Sequence, residues 1–142
     1  MTTLEVSDAE LFRREHRRLD EILGRLLAAI EQGTLSEARA AAESADSELR
    51  RHTAAEEERI YPQLPGRKLV PAEPEGEQER LSRELRLEHV QIREVSGMLA
   101  RLLVEKEDLD AARHLLPNLL RRWDAHTVRE ERELFQNVRR ET

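Results

Sequence analysis

The chain has 142 residues, room for one domain over 1–142 with a full core, and a net charge of −6 with acidic and basic residues interspersed. That pattern reads as solvated helix faces and excludes nucleic-acid binding through a basic field. There is no Cys, which excludes disulfides, thiolate metal sites and a Cys nucleophile. No apolar run approaches the ~18 residues of a membrane span. The opening MTTLEVSDAE lacks the basic and apolar regions of a signal peptide, so the expected location is cytoplasmic.

Helical periodicity dominates the chain. A first helix is expected to open at Ser7, with Glu10 three residues on as a capping box. Its stripe runs Phe12, His16, Leu19, Leu23, Leu26, Ile30, and Gly33 stops it. Thr34 with Glu37 reads as a second capping box. The next stripe runs Leu35, Ala38, Ala42, Ala45, Leu49, His52, Glu56, Ile60, ending at Pro62. Residues 62–76, rich in Pro and Gly, form the expected loop. A third stripe runs Leu81, Leu85, His89, Ile92, Val95, Leu99, Leu102. Asp108 caps the last helix, whose stripe is Ala112, Leu116, Leu119, Trp123, His126, Glu130, Leu134. Pro117 within it predicts a kink or a short preceding turn. Four helices with short connections predict an all-α, antiparallel up-down-up-down four-helix bundle.

The chain also repeats itself. A shift that lays position 16 on position 89 superposes Glu15 on Glu88, His16 on His89, Leu19 on Ile92 and Gly24 on Gly97. A shift that lays position 52 on position 126 superposes His52, Thr53, Glu56, Glu57, Ile60 and Tyr61 on His126, Thr127, Glu130, Glu131, Leu134 and Phe135. An internal two-fold pseudo-repeat follows.

Each stripe carries one His, and two carry a Glu four residues later on the same face. In a bundle, His16, His52, Glu56, His89, His126 and Glu130 can meet at one level. Two carboxylates and four imidazoles in a Leu-rich core cost several kcal/mol per unpaired ion, and no Lys or Arg lies in the stripes. Metal ions solve this. Imidazole and carboxylate suit iron, manganese, zinc or copper alike. Two six-coordinate ions need about twelve contacts. Four His, two bridging Glu and one bridging solvent oxygen leave about one open position on each. Two carboxylates do not neutralise two divalent ions, so an exogenous anion (hydroxide, oxide or peroxide) is invited.

His16 alone, H52xxxE56 followed by Glu57 and Tyr61-Pro62, His89 alone, and H126xxxE130 together resemble the hemerythrin-like HHE cation-binding family over essentially the whole chain. The resemblance implies a bundle holding two iron ions in a non-heme di-iron centre with bridging carboxylates, oxo- or hydroxo-bridged. It implies binding of, or reaction with, dioxygen, peroxide or nitric oxide, in scavenging, sensing or repair of damaged iron centres. Two departures from the oxygen carriers stand out. Arg93 occupies the second position of their HxxxH, and Glu131 that of the Asp in their HxxxxD. The four-His, two-Glu set is more similar to the nitric-oxide-responsive repair proteins, which favours reactivity over reversible oxygen carriage.

Other residues have plainer readings. Glu57 and Glu131 read as solvated or as salt-bridge partners outside the ligand set, and Glu15 and Glu88 as a solvated face in preference to orienting the His that follows each. Asp20 is set aside as a ligand because its repeat mate is Arg93. Trp123 is expected to pack over the site, Tyr61 and Phe135 to serve packing, and His114 to lie on the surface. The competing functions are a di-iron oxidative enzyme acting on an organic substrate, with residues 62–76 gating its pocket, and a non-catalytic redox-responsive or zinc-binding interaction module. The expected partner is a small diatomic or peroxide ligand, with no nucleic acid and no membrane.

Overall fold

A computed structural model describes the backbone of residues 3–63 and 76–134, with side chains from residue 8 onward. Four helices follow one another: α1 Thr3–Gln32, α2 Leu35–Arg59, α3 Glu77–Val104 and α4 Leu109–Arg129. A 3-10 turn, Tyr61–Gln63, follows α2, and a five-residue π-helical segment, Glu130–Leu134, continues α4. At about 1.5 Å per residue, the 30-residue α1 is ~45 Å long. Among the described residues no helix is long and apolar enough to cross a membrane. The expected loop falls mostly on residues 64–75, outside the described residues.

Cross-helix pairs establish the direction of each neighbour. Asp8, Glu15 and Arg18 of α1 meet Arg59, Arg51 and Glu48 of α2 in turn. Glu84, Glu88 and Gln91 of α3 meet Arg129, His126 and Arg122 of α4. Numbers rise on one helix as they fall on the next, so these neighbours are antiparallel. Asp20–Trp123 and Ile30–Arg113 run the same way between α1 and α4 and close the ring. The four-helix bundle is therefore up-down-up-down, as expected.

The turns are local chemistry. Gly33 has φ +72, a left-handed conformation that costs a side-chain-bearing residue energy. It lets the Thr34 N–H reach back to the Ala29 carbonyl at 2.9 Å. Thr34 occupies the N-cap position, but its side chain makes no capping hydrogen bond. The capping box expected there does not form, because the backbone turn at Gly33 already sets the chain's path. Asp108 does cap α4, accepting from the Ala111 N–H at 2.9 Å. The expected start at Ser7 is also corrected. α1 already runs from Thr3, so Ser7 lies inside it. Pro117 removes one in-helix bond, yet α4 continues through it to Arg129. The buried Leu116 and Leu119 on either side anchor that turn against the core.

The core has two apolar parts. The larger gathers Leu19, Leu23, Leu26, Leu49, Ile92, Leu99, Leu116, Leu119 and Trp123 with their neighbours. The smaller gathers Phe12, Ile60, Tyr61, Leu81, Leu85 and Leu134. In α3 the buried face is turned slightly from the expected stripe. Ser96 and Leu103 are buried where Val95 and Leu102 are only half-buried. Ser96 tolerates this because its hydroxyl donates to Asp46 at 2.9 Å. Between the two apolar parts lies a layer of buried polar side chains.

Candidate metal centre

That layer contains His16 of α1, His52 and Glu56 of α2, His89 of α3, His126 of α4, and Glu130 at the start of the π segment. All six are at most 1% exposed. An i,i+4 spacing puts His52 with Glu56, and His126 with Glu130, on one helix face, and both pairs close to 3.1 Å. The structure thus brings together all six residues singled out in the sequence.

The inward contacts converge on the two carboxylates. His16 Nε2 lies 3.2 Å from Glu56 and 3.0 Å from Glu130. His89 Nε2 lies 3.1 Å from Glu56 and 3.6 Å from Glu130. Two overlapping sets result: His16, His52, Glu56 and Glu130, and Glu56, His89, His126 and Glu130. In each set one donor atom per residue lies within 4.8 Å of all the others. Both carboxylates belong to both sets.

The outward nitrogens are held as well. Each Nδ1–H donates to a carboxylate of a neighbouring helix: His52 to Glu15 at 2.6 Å, His126 to Glu88 at 2.6 Å, His89 to Glu57 at 2.7 Å and His16 to Glu131 at 3.1 Å. Such bonds fix the tautomer and turn Nε2 inward. Glu57 and Glu131 are thus partners of the inner residues, as read from the sequence. Glu15 and Glu88 are not merely solvated, which corrects that expectation. Each precedes a His in sequence and reaches across to the His of the next helix. Arginines stand behind three of these carboxylates. Arg51 is 3.7 Å from Glu15, Arg93 is 3.5 Å from Glu57, and Arg129 is 2.9 Å from Glu88.

The two halves obey one pattern. Glu15–His52 repeats as Glu88–His126, and Glu57–His89 repeats as Glu131–His16. Three features break it. Glu130 opens a π turn and its N–H contacts both His126 and Thr127 carbonyls, whereas the matching α2 segment ends at Arg59. Extra-wide turns of this kind are frequent at functional sites. Tyr61 is the second feature. Its hydroxyl donates to Glu130 at 2.7 Å and lies 2.9 Å from His89 Nε2. The sequence assigned Tyr61 to packing because its repeat mate is Phe135, which lies outside the described residues. The difference between that Tyr and that Phe was the available signal.

Trp123 is the third feature. Its ring lies 5.5 Å from the ring of His16, 6.0 Å from His52 and 6.5 Å from His126, and its Nε1–H donates to Asp20 at 2.8 Å. Phe12 packs edge-on against His52 at 5.5 Å. In a chain with 3% aromatics, three aromatic rings line this one layer. Asp20 is exposed and outside the inner set. His114 is likewise exposed and donates to the Asp110 carbonyl of its own helix. Arg93 turns away from the inner atoms, donating to Thr53 Oγ1 at 2.9 Å.

The electrostatics are those of an anion-centred cluster. Burial opposes charge on the imidazoles, but hydrogen bonds to Glu130 and Glu56 and their charges prevail. They push His16 up to about 11 and His89 up to about 10. Burial and the carboxylates of Glu130 and Glu56 raise the Tyr61 phenol, which keeps its proton.

Residues 7–138 match the hemerythrin HHE cation binding domain. The chain belongs to the hemerythrin HHE family. No curated protein and no solved structure matches it. The cluster fits the cation that the family's description names. Among the described residues, His52 Nε2, His126 Nε2 and Glu130 Oε1 are buried and lack a partner with good hydrogen-bond direction. Each nevertheless sits 3.0–3.1 Å from an oppositely charged neighbour. Close approach without hydrogen-bond direction is what donors aimed at a shared ion produce. This hemerythrin HHE chain therefore carries a buried His/Glu cluster able to hold a metal.

Proposed function

We propose that this bundle holds two non-heme iron ions and that the centre binds or reacts with dioxygen, peroxide or nitric oxide. His16 and His52 would hold one ion and His89 and His126 the other, with Glu56 and Glu130 available to both. The observation that carries the reading is the sharing of both carboxylates by the two donor sets. A lone structural zinc needs four closed ligands, whereas here six residues fill eight places. Imidazole with carboxylate suits iron.

Bound iron supplies redox electrons and open coordination positions. The chain's residues do the rest. Glu15, Glu57, Glu88 and Glu131 orient the imidazoles. Phe12 and Trp123 exclude water along the His16–His52 side. Tyr61 places a hydroxyl beside Glu130 and His89 and donates its hydrogen bond to Glu130, so the two positions are inequivalent. A cleft of about 290 Å³ between α3 and α4 reaches Glu88 and His126, with Arg121 and Arg122 on its rim. Its dimensions suit a small ligand.

The test is metal analysis of aerobically purified protein, with absorption spectra before and after dithionite and then with peroxide and nitric oxide. Two irons per chain, with bands that bleach and respond to those ligands, are expected. Zinc, or full helicity without metal, overturns the reading.

A further inference from the structure

We infer that Trp123 and Asp20 form a proton-coupled electron relay that connects the metal centre to the protein surface. The inference rests on the iron reading above and on three observations. Trp123 is buried, 3% exposed, and its ring contacts three of the four imidazoles, so it borders both donor sets. Its one polar atom turns outward and donates to Asp20 at 2.8 Å. Asp20 is exposed. Buried ring and exposed carboxylate thus make one bonded path from the inner imidazoles to solvent.

The pair is not needed to build the cluster. Under the internal repeat Trp123 falls on Leu49 and Asp20 falls on Arg93, so the other half assembles its two imidazoles without either. An indole is the most easily oxidised side chain beside the layer apart from the Tyr61 phenol. Among the described residues Tyr61 has no comparable exit. It is 2% exposed, and its proton points at Glu130 inside the cluster. Losing that proton would place it on an inner carboxylate.

The step balances with peroxide as oxidant. Hydrogen peroxide takes up two electrons and two protons and becomes two molecules of water. One electron comes from the indole of Trp123 and one from the metal centre, and the two protons come from solvent. As the indole loses its electron the Nε1–H bond breaks, and that proton passes to the Asp20 carboxylate. A neutral indolyl radical and a neutral carboxyl result. Two soluble one-electron donors of the ascorbate class restore the two electrons, one to the indole, with Asp20 returning its proton, and one through the indole to the centre. The relay draws off an oxidising equivalent that would otherwise fall on the ligating imidazoles.

The chain has one Trp and one Tyr, so each can be isotopically labelled as a single site without mutation. Protein loaded with ferrous iron under anaerobic conditions is mixed with hydrogen peroxide, frozen, and examined by electron paramagnetic resonance, with iron content and peroxide consumption measured on the same sample. The expected result is an organic radical whose spectrum narrows with ring-deuterated tryptophan and not with ring-deuterated tyrosine. In Asp20→Asn the indole keeps its proton, and the optical spectrum shifts from that of the neutral radical to that of the cation. Ascorbate quenches the radical in the wild type. A sample that binds iron and consumes peroxide with no deuterium-sensitive radical, or with one sensitive only to labelled tyrosine, overturns the relay and leaves the iron reading standing. A sample that binds no iron overturns both.

Discussion

Glu15 of α1 accepts a 2.6 Å hydrogen bond from Nδ1 of His52 on α2, and by doing so holds the opposite nitrogen of that ring toward Glu56. Removing the charge while keeping the shape isolates this effect. Glu15→Gln and Glu88→Gln are expected to weaken metal binding by about 10–100-fold with helicity unchanged. Glu131→Gln is expected to cost less, about tenfold at most. Its bond is longer, 3.1 Å, and its side chain is 45% exposed. Competitive metal titration against a chelator, with circular dichroism as control, ranks the three.

Sharing of the carboxylates predicts unequal losses of metal. His52→Ala removes a donor from one set and leaves His89, His126, Glu56 and Glu130 in place. The expected content is about half that of the wild type. Glu130→Ala damages both sets and is expected to bind neither ion well. Elemental analysis of the two variants, prepared in parallel, distinguishes them. Equal loss in both would mean that the carboxylate is not shared.

The metal-free protein should be sensitive to alkali. His16 and His89 are raised to about 11 and about 10 in the folded chain, against ~6.5 unfolded. A raised pKa contributes stability that is fully present below the unfolded value and is lost as pH rises through the folded value. Melting temperature without metal should therefore fall progressively from about pH 7 toward pH 11. Metal must displace those protons, so uptake should release protons and tighten with pH over the same window. Thermal melts across pH, and a pH-indicator dye during metal addition, check the two halves of this expectation.

Tyr61→Phe gives the first half of the chain the residue that the second half already has. The hydroxyl bond to Glu130 is lost, at a cost of about 1 kcal/mol. Glu130 keeps its contacts to His16 and His126, so both metals should remain bound. The spectroscopic response to peroxide or nitric oxide should change, since the hydroxyl that holds Glu130 beside the His89–His126 position is gone. An unchanged response would remove Tyr61 from ligand binding.

Gly33→Ala tests the first turn. Open space surrounds the position, so the left-handed φ of +72 alone sets the penalty. The expected cost is about 1–2 kcal/mol, measured by urea unfolding.

The stripes, the level at which four His meet, and the two His–Glu pairs were legible in the sequence because a 3.6-residue period converts directly into a shared face. What was missed lies between faces. Glu15 sits one residue before His16, about 100° around α1, and periodicity does not say which neighbour that flank meets. Ser96 and Leu103 replaced Val95 and Leu102 for a related reason, since a small rotation of α3 exchanges adjacent flanks. The π turn at Glu130 was hidden because HTxxEE reads identically in both halves. Only the packing around each helix end separates a turn that widens from one that stops. The Ser7 side chain suits a cap, but a good cap residue does not halt a helix already propagating through it.

The reciprocity of the pattern reaches beyond this polypeptide. Residues 3–63 supply His16, His52 and Glu56, together with Glu57, which grips an imidazole of the opposite hairpin. Residues 76–134 return the same service through Glu131. Neither hairpin closes its own donor set, since each set draws a carboxylate from the other. One such hairpin paired with an identical copy about a two-fold axis would present all six inner groups and all four outer carboxylates. The chain is organised as a symmetric dimer written as one gene product. The tyrosine and the tryptophan mark where its two halves differ.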